Sequence, residues 1–373
     1  MKNHFGKFLG LTILVGTLSA SAQVTLAPLS SFGGGDGWLA PGEGGYTFLG
    51  TANNERGLAF GNGDLYLVSH TSNSIRILDP TTGADLGSLN NTGVSGGTFA
   101  VNTIGVGTDG AIYVANLTTQ STTSPFRVYR WANNAATATV AYSGNGGIAG
   151  SRLGDDLAIT GGGSSTLLAA GYNSSPSVTG NNGYAILNPT AGTATAIGFT
   201  GTPPNAGDFR LGLTFTDSSH VLGTAGSSLY RDTSFSGSTG TLIGSPGIPD
   251  PAGATADRML GYTLLDGVAL LAVQSIGDSH VSLYNATDPN APVYIGALNN
   301  TSGTLTANGN GTGELAWGAI KDNGDGSFSE TLYAMSTNQG IQAFVVTVVP
   351  EPATLSLLAL GLVAVAGRKK FRR

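Results

Sequence analysis

Six stretches of this chain repeat one pattern, and that repeat limits the fold more than any other feature. They open RGLAFGNGDLYLVS, NTIGVGTDGAIYVA, DDLAITGGGSSTLLAAG, LGLTFTDSSHVLGTAG, MLGYTLLDGVALLAV and AWGAIKDNGDGSFSETLYAMS. Each reads as a strand, a turn rich in Gly and Asp, and a second strand. A third strand follows in most (SIRILD, FRVYRW, GYAILN, SSLYRD, HVSLYN, GIQAFVV), then a fourth such as TATVAYSG, TATAIGFT, TLIGSP or PVYIGAL. First-strand anchors fall at Leu58, Ile104, Leu157, Leu213, Leu260 and Trp317, at intervals of 46, 53, 56, 47 and 57 residues. A small sheet of this kind buries its faces only against its neighbours, so the pattern predicts an all-β propeller.

The sixth stretch runs into Pro350-Glu351-Pro352 before a fourth strand can form. A spare strand stands at the other end, GYTFLG at residues 45–50, ahead of the first unit as fourth strands stand ahead of later ones. Its pairing with GIQAFVV would close a six-bladed ring and hide both edges. A seventh blade would need Val24–Leu39 to contribute more. Composition agrees with a turn-rich folded β protein: 59 glycines and only 10% charged residues, but 40% hydrophobic ones, more than disordered chains carry. Cysteine is absent, which removes disulfides, thiolate nucleophiles and cysteine metal sites.

Charge is divided along the chain. Of 16 basic residues, Lys2 and Lys7 stand at the start and Arg368, Lys369, Lys370, Arg372 and Arg373 at the end. That leaves 9 basic against 21 acidic side chains over residues 23–349, a balance that argues against nucleic acid as a partner. The start has Lys2 and Lys7, an apolar stretch from Phe8 to Leu18, then Ala20-Ser21-Ala22. This order predicts a secretory signal peptide over residues 1–22. At the far end, Ala353 to Gly367 would rise about 22 Å as a helix, against roughly 30 Å of hydrocarbon. Basic residues behind it can snorkel to the headgroups and hold that end on the cytoplasmic side of the inner membrane. The reading is a propeller over 23–349 between two export segments, 1–22 and 350–373.

Pro350-Glu351-Pro352, a short apolar span and a basic terminus together resemble the PEP-CTERM sorting signal. That resemblance implies a Gram-negative bacterium, often one that makes extracellular polysaccharide. It further implies processing near Pro350-Glu351-Pro352 by an exosortase, a membrane cysteine peptidase-transpeptidase, and a final place at the cell surface or in the extracellular matrix. The first three repeats, through VSGGTFAVNTIGVGTDGAIYVANLTT, also resemble secreted propeller-like domains of unknown function that often carry such tails. That second resemblance brings no catalytic residues.

Motifs with catalytic or cofactor associations have plainer readings here. Gly105-Val-Gly107-Thr-Asp-Gly110 matches GxGxxG, but a strand follows it where a dinucleotide fold needs a helix. Asp322 to Glu330 is similar to a calcium loop, yet placing Gly326 at the turn puts Lys321 at the first ligand position. His70, His220 and His280 fall in different repeats, and nothing in linear order supplies a triad.

Just before each first-strand anchor the chain is unusually polar: Glu55, Arg56, Asn102, Asp155, Asp156, Arg210, Asp257, Arg258 and Glu314. In a propeller these positions ring one mouth of the central channel, a default ligand site. The plainer alternative is that acids and arginines pair and hold adjacent blades together. Two functions follow. One is a non-enzymatic binding or structural module, with polysaccharide as a partner because Asn, Thr and Tyr at loop tips suit sugar hydroxyls, or with other proteins on a scaffold. The other is a lactonase-, lyase- or hydrolase-like enzyme holding Ca²⁺ on Glu55, Asp155, Asp257 and Glu314.

Overall fold

The computed structural model describes residues 22–173, 182–199, 207–224, 230–248 and 257–350. Its main unit, Val24–Val348, is built of antiparallel sheets. A second unit, Met1–Gln23 with Val349–Arg373, lies almost wholly outside the described residues, and so do the expected signal peptide and apolar C-terminal span. Among the described residues no helix is long and apolar enough to cross a membrane.

The strands run in chain order. β1 (Gln23–Pro28) and β2 (Trp38–Leu39) come first. The first repeat supplies β3 (Glu55–Gly61), β4 (Asp64–Ser69), β5 (Ser74–Leu78) and β6 (Asp85–Ser88). The second supplies β7 (Phe99–Val106), β8 (Ile112–Leu117), β9 (Phe126–Trp131) and β10 (Thr139–Gly144). The third has β11 (Ala158–Thr160), β12 (Leu167–Gly171), β13 (Asn182–Asn188) and β14 (Thr193–Phe199). The fourth has β15 (Leu213–Phe215), β16 (His220–Thr224), β17 (Tyr230–Ser236) and β18 (Thr239–Gly244). The fifth has β19 (Asp257–Leu265), β20 (Val268–Ser275), β21 (Val281–Asn285) and β22 (Val293–Leu298). The last has β23 (Gly313–Trp317), β24 (Lys321–Asp322), β25 (Phe328–Ser336) and β26 (Gly340–Val349).

The arrangement is propeller-like. The first strands neighbour one another in a cycle: β3 meets β7, β7 meets β11, and so through β15, β19 and β23 back to β3. Hydrophobic clusters lie between consecutive sheets. Tyr66, Val68 and Ile75 pack with Ile104, Val114 and Trp131, and farther round Leu222 and Tyr230 pack with Leu260 and Leu271. This explains the burial patterns. Second strands such as β4 and β8 are covered on both faces and read as continuous apolar runs, whereas outer strand β6 and the first half of β14 alternate between exposed and half-buried residues. The GxGxxG stretch forms the β7–β8 hairpin, with the Gly110 N–H donated to the Gly107 carbonyl.

Two features differ from the sequence reading. The expected closing strand, residues 45–50, is not a strand. Gly42, Gly44 and Gly45 all adopt positive φ (80°, 64° and 73°), which breaks the extended backbone. Instead β1 lies beside β26, and Trp38 and Leu39 of β2 pair with Gln342 and Ile341. Residues 45–50 still serve the junction, because Leu49 is fully buried in the cluster with Leu39, Ile341 and Ala343. The second departure is a parallel pairing of outer strands β14 and β18, which merges the third and fourth repeats into one sheet of eight strands. Gly240 permits it: a Cβ there would lie 2.6 Å from the Phe199 ring.

Phe32, fully buried against Tyr333 with ring centroids 5.9 Å apart, ties the N-terminal segment to the junction of last and first repeats. Phe32→Ala should lower the unfolding free energy by about 3–5 kcal/mol in denaturant titrations. A loss below about 1 kcal/mol would mean that this segment is not part of the core.

Candidate functional site at the channel mouth

All six first-strand anchors, Leu58, Ile104, Leu157, Leu213, Leu260 and Trp317, line one cavity of ≈ 210 Å³ along the axis of the cycle. Most of the residues that line it have apolar side chains, with Glu314 as a charged exception. The polar residues preceding the anchors do gather at the end where the first strands begin, and most are buried: Glu55 and Asn102 are 1% exposed, Asp155 and Asp156 4%, Arg56 and Glu314 8%. Asp257 is buried as well, and Arg210 and Arg258 are half-buried.

Their interactions divide them. Asp155 takes two arginines. Arg152 donates from Nε and Nη2 at 2.7 and 2.6 Å, and Arg210 donates from Nε at 2.8 Å. Burial alone would raise the Asp155 pKa, but these two guanidinium groups outweigh it and hold the carboxylate below its usual range. Asp155 with Arg210 therefore joins adjacent repeats, as the plainer reading expects.

Asp156 does something different. It accepts the Leu157 N–H on Oδ1 and the Leu213 N–H on Oδ2, both at 2.7 Å, and hydrogen-bonds to the Glu314 carboxyl. Asp156 leads into β11 and Glu314 lies on β23, and these two strands are not neighbours in the cycle, so the bond crosses the axis. Two carboxyl groups can share a hydrogen bond only with a proton between them. Burial pushes Asp156 up to about 6, and burial plus the charge of Asp156 pushes Glu314 well above its usual value. Asp156 is already fed by two backbone donors, so Glu314 is the residue that holds the proton.

Glu55 accepts the Gly50 N–H on Oε1, while its buried Oε2 has no hydrogen bond. Burial raises its pKa. Asn102 donates to the Gly154 carbonyl, and its Oδ1 is likewise unmet. Arg56 donates from Nη1 to Thr312 Oγ1 at 2.7 Å and lies 5.9 Å from the centre of the Phe99 ring, a position that linear order did not suggest. Of the four carboxylates weighed as a Ca²⁺ set, Asp155 is held by two arginines, Glu314 by Asp156, and Glu55 by the Gly50 N–H. Among the described residues no three His, Asp or Glu come together to hold a metal ion.

Among the other candidate motifs, His70 stands beside the mouth, on the Phe99 ring that Arg56 also faces. His220 Nδ1 meets both Asp217 Oδ2 (2.7 Å) and Ser219 Oγ (3.1 Å), which puts acid and hydroxyl on one nitrogen where a triad needs them on opposite nitrogens. His280 Nδ1 meets Asp278 Oδ1 at 2.7 Å, and His70 contacts the Asn53 carbonyl and the Phe99 ring. In the Asp322–Glu330 loop, Asp322 and Asp325 accept the N–H groups of Gly324 and Ser327. Glu330 turns away to accept the Thr263 hydroxyl at 2.9 Å.

Comparison with known proteins now adds two local matches. Residues 51–190, which span β3 to β13, match DUF4623, a domain of unknown function. Residues 348–373 match a protein-sorting motif of the exosortase system. The chain carries a PEP-CTERM sorting motif. That motif implies an exosortase as processing partner and export to the cell envelope or surface. No curated protein matches this chain. A DUF4623 family protein from Bacteroides eggerthii shares its fold at a TM-score of 0.60 and 16% identity, over 87% of this chain and 74% of that one. The Malassezia sympodialis allergen Mala s 1 (TM-score 0.49, 12% identity, 80% of this chain and 92% of that one) is more distant. So is the Pseudomonas aeruginosa periplasmic gluconolactonase (0.45, 13%, 79% and 88%). At these identities the likeness is one of fold.

The proton held between Asp156 and Glu314 gives the protein a pH signature. A carboxyl whose folded pKa lies above its unfolded one stabilises the fold most below the unfolded value. That contribution is lost as pH rises through the folded value. Asp156 (about 6), Glu330 (about 7) and Glu314 all act in this direction. Melting temperature should therefore fall between about pH 4 and 7. Glu314→Gln, which can still donate to Asp156, should flatten that fall in thermal melts. An unchanged slope would show that no proton is shared there.

Proposed function

We propose that this protein is an exported six-bladed propeller, handed to an exosortase and placed at the cell surface or in the extracellular matrix, where it binds a ligand without transforming it. The cycle β3–β7–β11–β15–β19–β23, closed by β1 beside β26, supports six blades. In this reading residues 1–22 are the export signal, 23–349 the propeller, and 350–373 the sorting segment, whose apolar stretch holds the chain in the inner membrane until it is cut.

The observation that carries the reading is the sorting motif at residues 348–373, joined to a rigid unit whose channel mouth collects buried polar atoms with unmet hydrogen bonds. Such atoms on a stiff scaffold favour recognition over chemistry. Asp155 is locked between arginines, and the Asp217–Ser219–His220 cluster lacks triad geometry. An extracellular glycan suits the location and the Asn- and Thr-rich loops at residues 90–98, 118–123 and 299–312. Mass spectrometry of the mature protein, with cell fractionation, tests the placement. The expected product lacks the residues after Pro350-Glu351-Pro352 and appears at the surface or in the matrix. An intact tail retained in the inner membrane would refute it.

A further inference from the structure

Two arginines at the channel mouth stand without a carboxylate partner, and the fold presents both in the same way. Arg56 and Arg258 occupy equivalent places in the repeats, in ERGL and DRML. At each the strand pairing slips, between Glu55 and Gly57 and between Asp257 and Met259, so each arginine sits at the extra position of a β-bulge. Bulges re-aim a side chain that the ladder would otherwise direct. Strands β3 and β19 flank β23 on its two sides, and both arginines reach the residues just before it. Arg56 Nη1 donates to Thr312 Oγ1, and a Cβ built on Gly311 would lie 3.6 Å from Arg258 Nε. Gly311 has φ of +64°, so the space beside Arg258 is kept free of a side chain.

Both Nε atoms are buried and have no hydrogen-bond partner, and among the described residues neither arginine has an ion pair that would neutralise it. Three acids of the mouth make their hydrogen bonds elsewhere, Glu55 Oε1 with Gly50, Asp155 with Arg152 and Arg210, and Glu314 with Asp156, although the charges of Asp155 and Glu55 still act on Arg56. A buried guanidinium with an unmet N–H is costly, whereas bonded to an oxyanion it makes strong directional hydrogen bonds.

We propose that the channel mouth binds an oxyanion, carboxylate or phosphate, on Arg56 and Arg258 at the Gly311–Thr312 step. This rests on the binding reading above and narrows its ligand to an acidic one, such as a uronate or a phosphate-bearing sugar.

Titration calorimetry on the purified full chain at fixed ionic strength tests it, with sodium galacturonate, inorganic phosphate and neutral galactose as probes. At least one of the two anions should bind, and whichever does names the source. Arg56→Gln and Arg258→Gln should each weaken that binding about tenfold or more. Arg127→Gln, which alters an arginine bonded to the Ser95 carbonyl, should leave it unchanged. Because Arg56 is buried, a misfolded Arg56→Gln protein would leave the half-buried Arg258→Gln variant to decide. Binding of neither anion, or anion binding unaffected by Arg258→Gln, overturns the inference. If galactose binds and the anions do not, the glycan-binding reading survives and the oxyanion site falls.

Discussion

A ring of small sheets has no end at which to stop, so its stability rests on how the chain's two extremities meet. Here the last repeat contributes β23, β25 and β26, and the start of the chain adds β1 and β2 along β26. An open β26 would leave a row of backbone donors and acceptors unpaired, and it would expose the face where Phe32, Leu39 and Leu49 now lie against Ile341, Ala343 and Tyr333. The cores between the first five repeats have the same character, with apolar residues of one repeat packed on the next. The junction differs because its two sides come from opposite ends of the sequence, and that makes closure and folding one event.

Closure also creates the mouth. Once the first strands stand in a cycle, the residues before them converge, and their charges must be resolved with little water. The protein resolves them in three ways. Asp155 is neutralised by two arginines. Asp156 and Glu314 share a proton across the axis. Arg56 and Arg258 are left on bulges with their Nε atoms unmet. The first is an ordinary structural solution. The second trades charge for a proton, which makes the fold sensitive to pH. The third is poor for stability alone, and it marks the part of the collar best suited to recognition.

Much of this could be read in linear order, because strand alternation and repeat spacing are local. Internal likeness of the repeats marks six anchors, and all six line the channel. The polar residues ahead of them do lie at one mouth, and the pairing of Asp155 with Arg210 follows from their places in adjacent repeats. GYTFLG has the composition of a strand, but the positive φ angles at Gly42, Gly44 and Gly45 put it in a turn against which Tyr46 and Leu49 pack. Thr312 and Gly311 carried no signal at all, since their importance comes from the arginines on either side.

By itself, then, the sequence determined an all-β chain of repeated units, the line of residues facing the axis, and a sorting tail, because each depends on neighbours a few positions apart. Only the tertiary structure decided which segment seals the ring, which acids meet, and which arginines keep an unmet Nε. Asp156 and Glu314 touch because two strands face each other across the circle, and Arg56 and Arg258 flank one step because their strands border the same third strand. Such meetings depend on the angle around an axis, and an angle of that kind has no counterpart in linear distance along a chain.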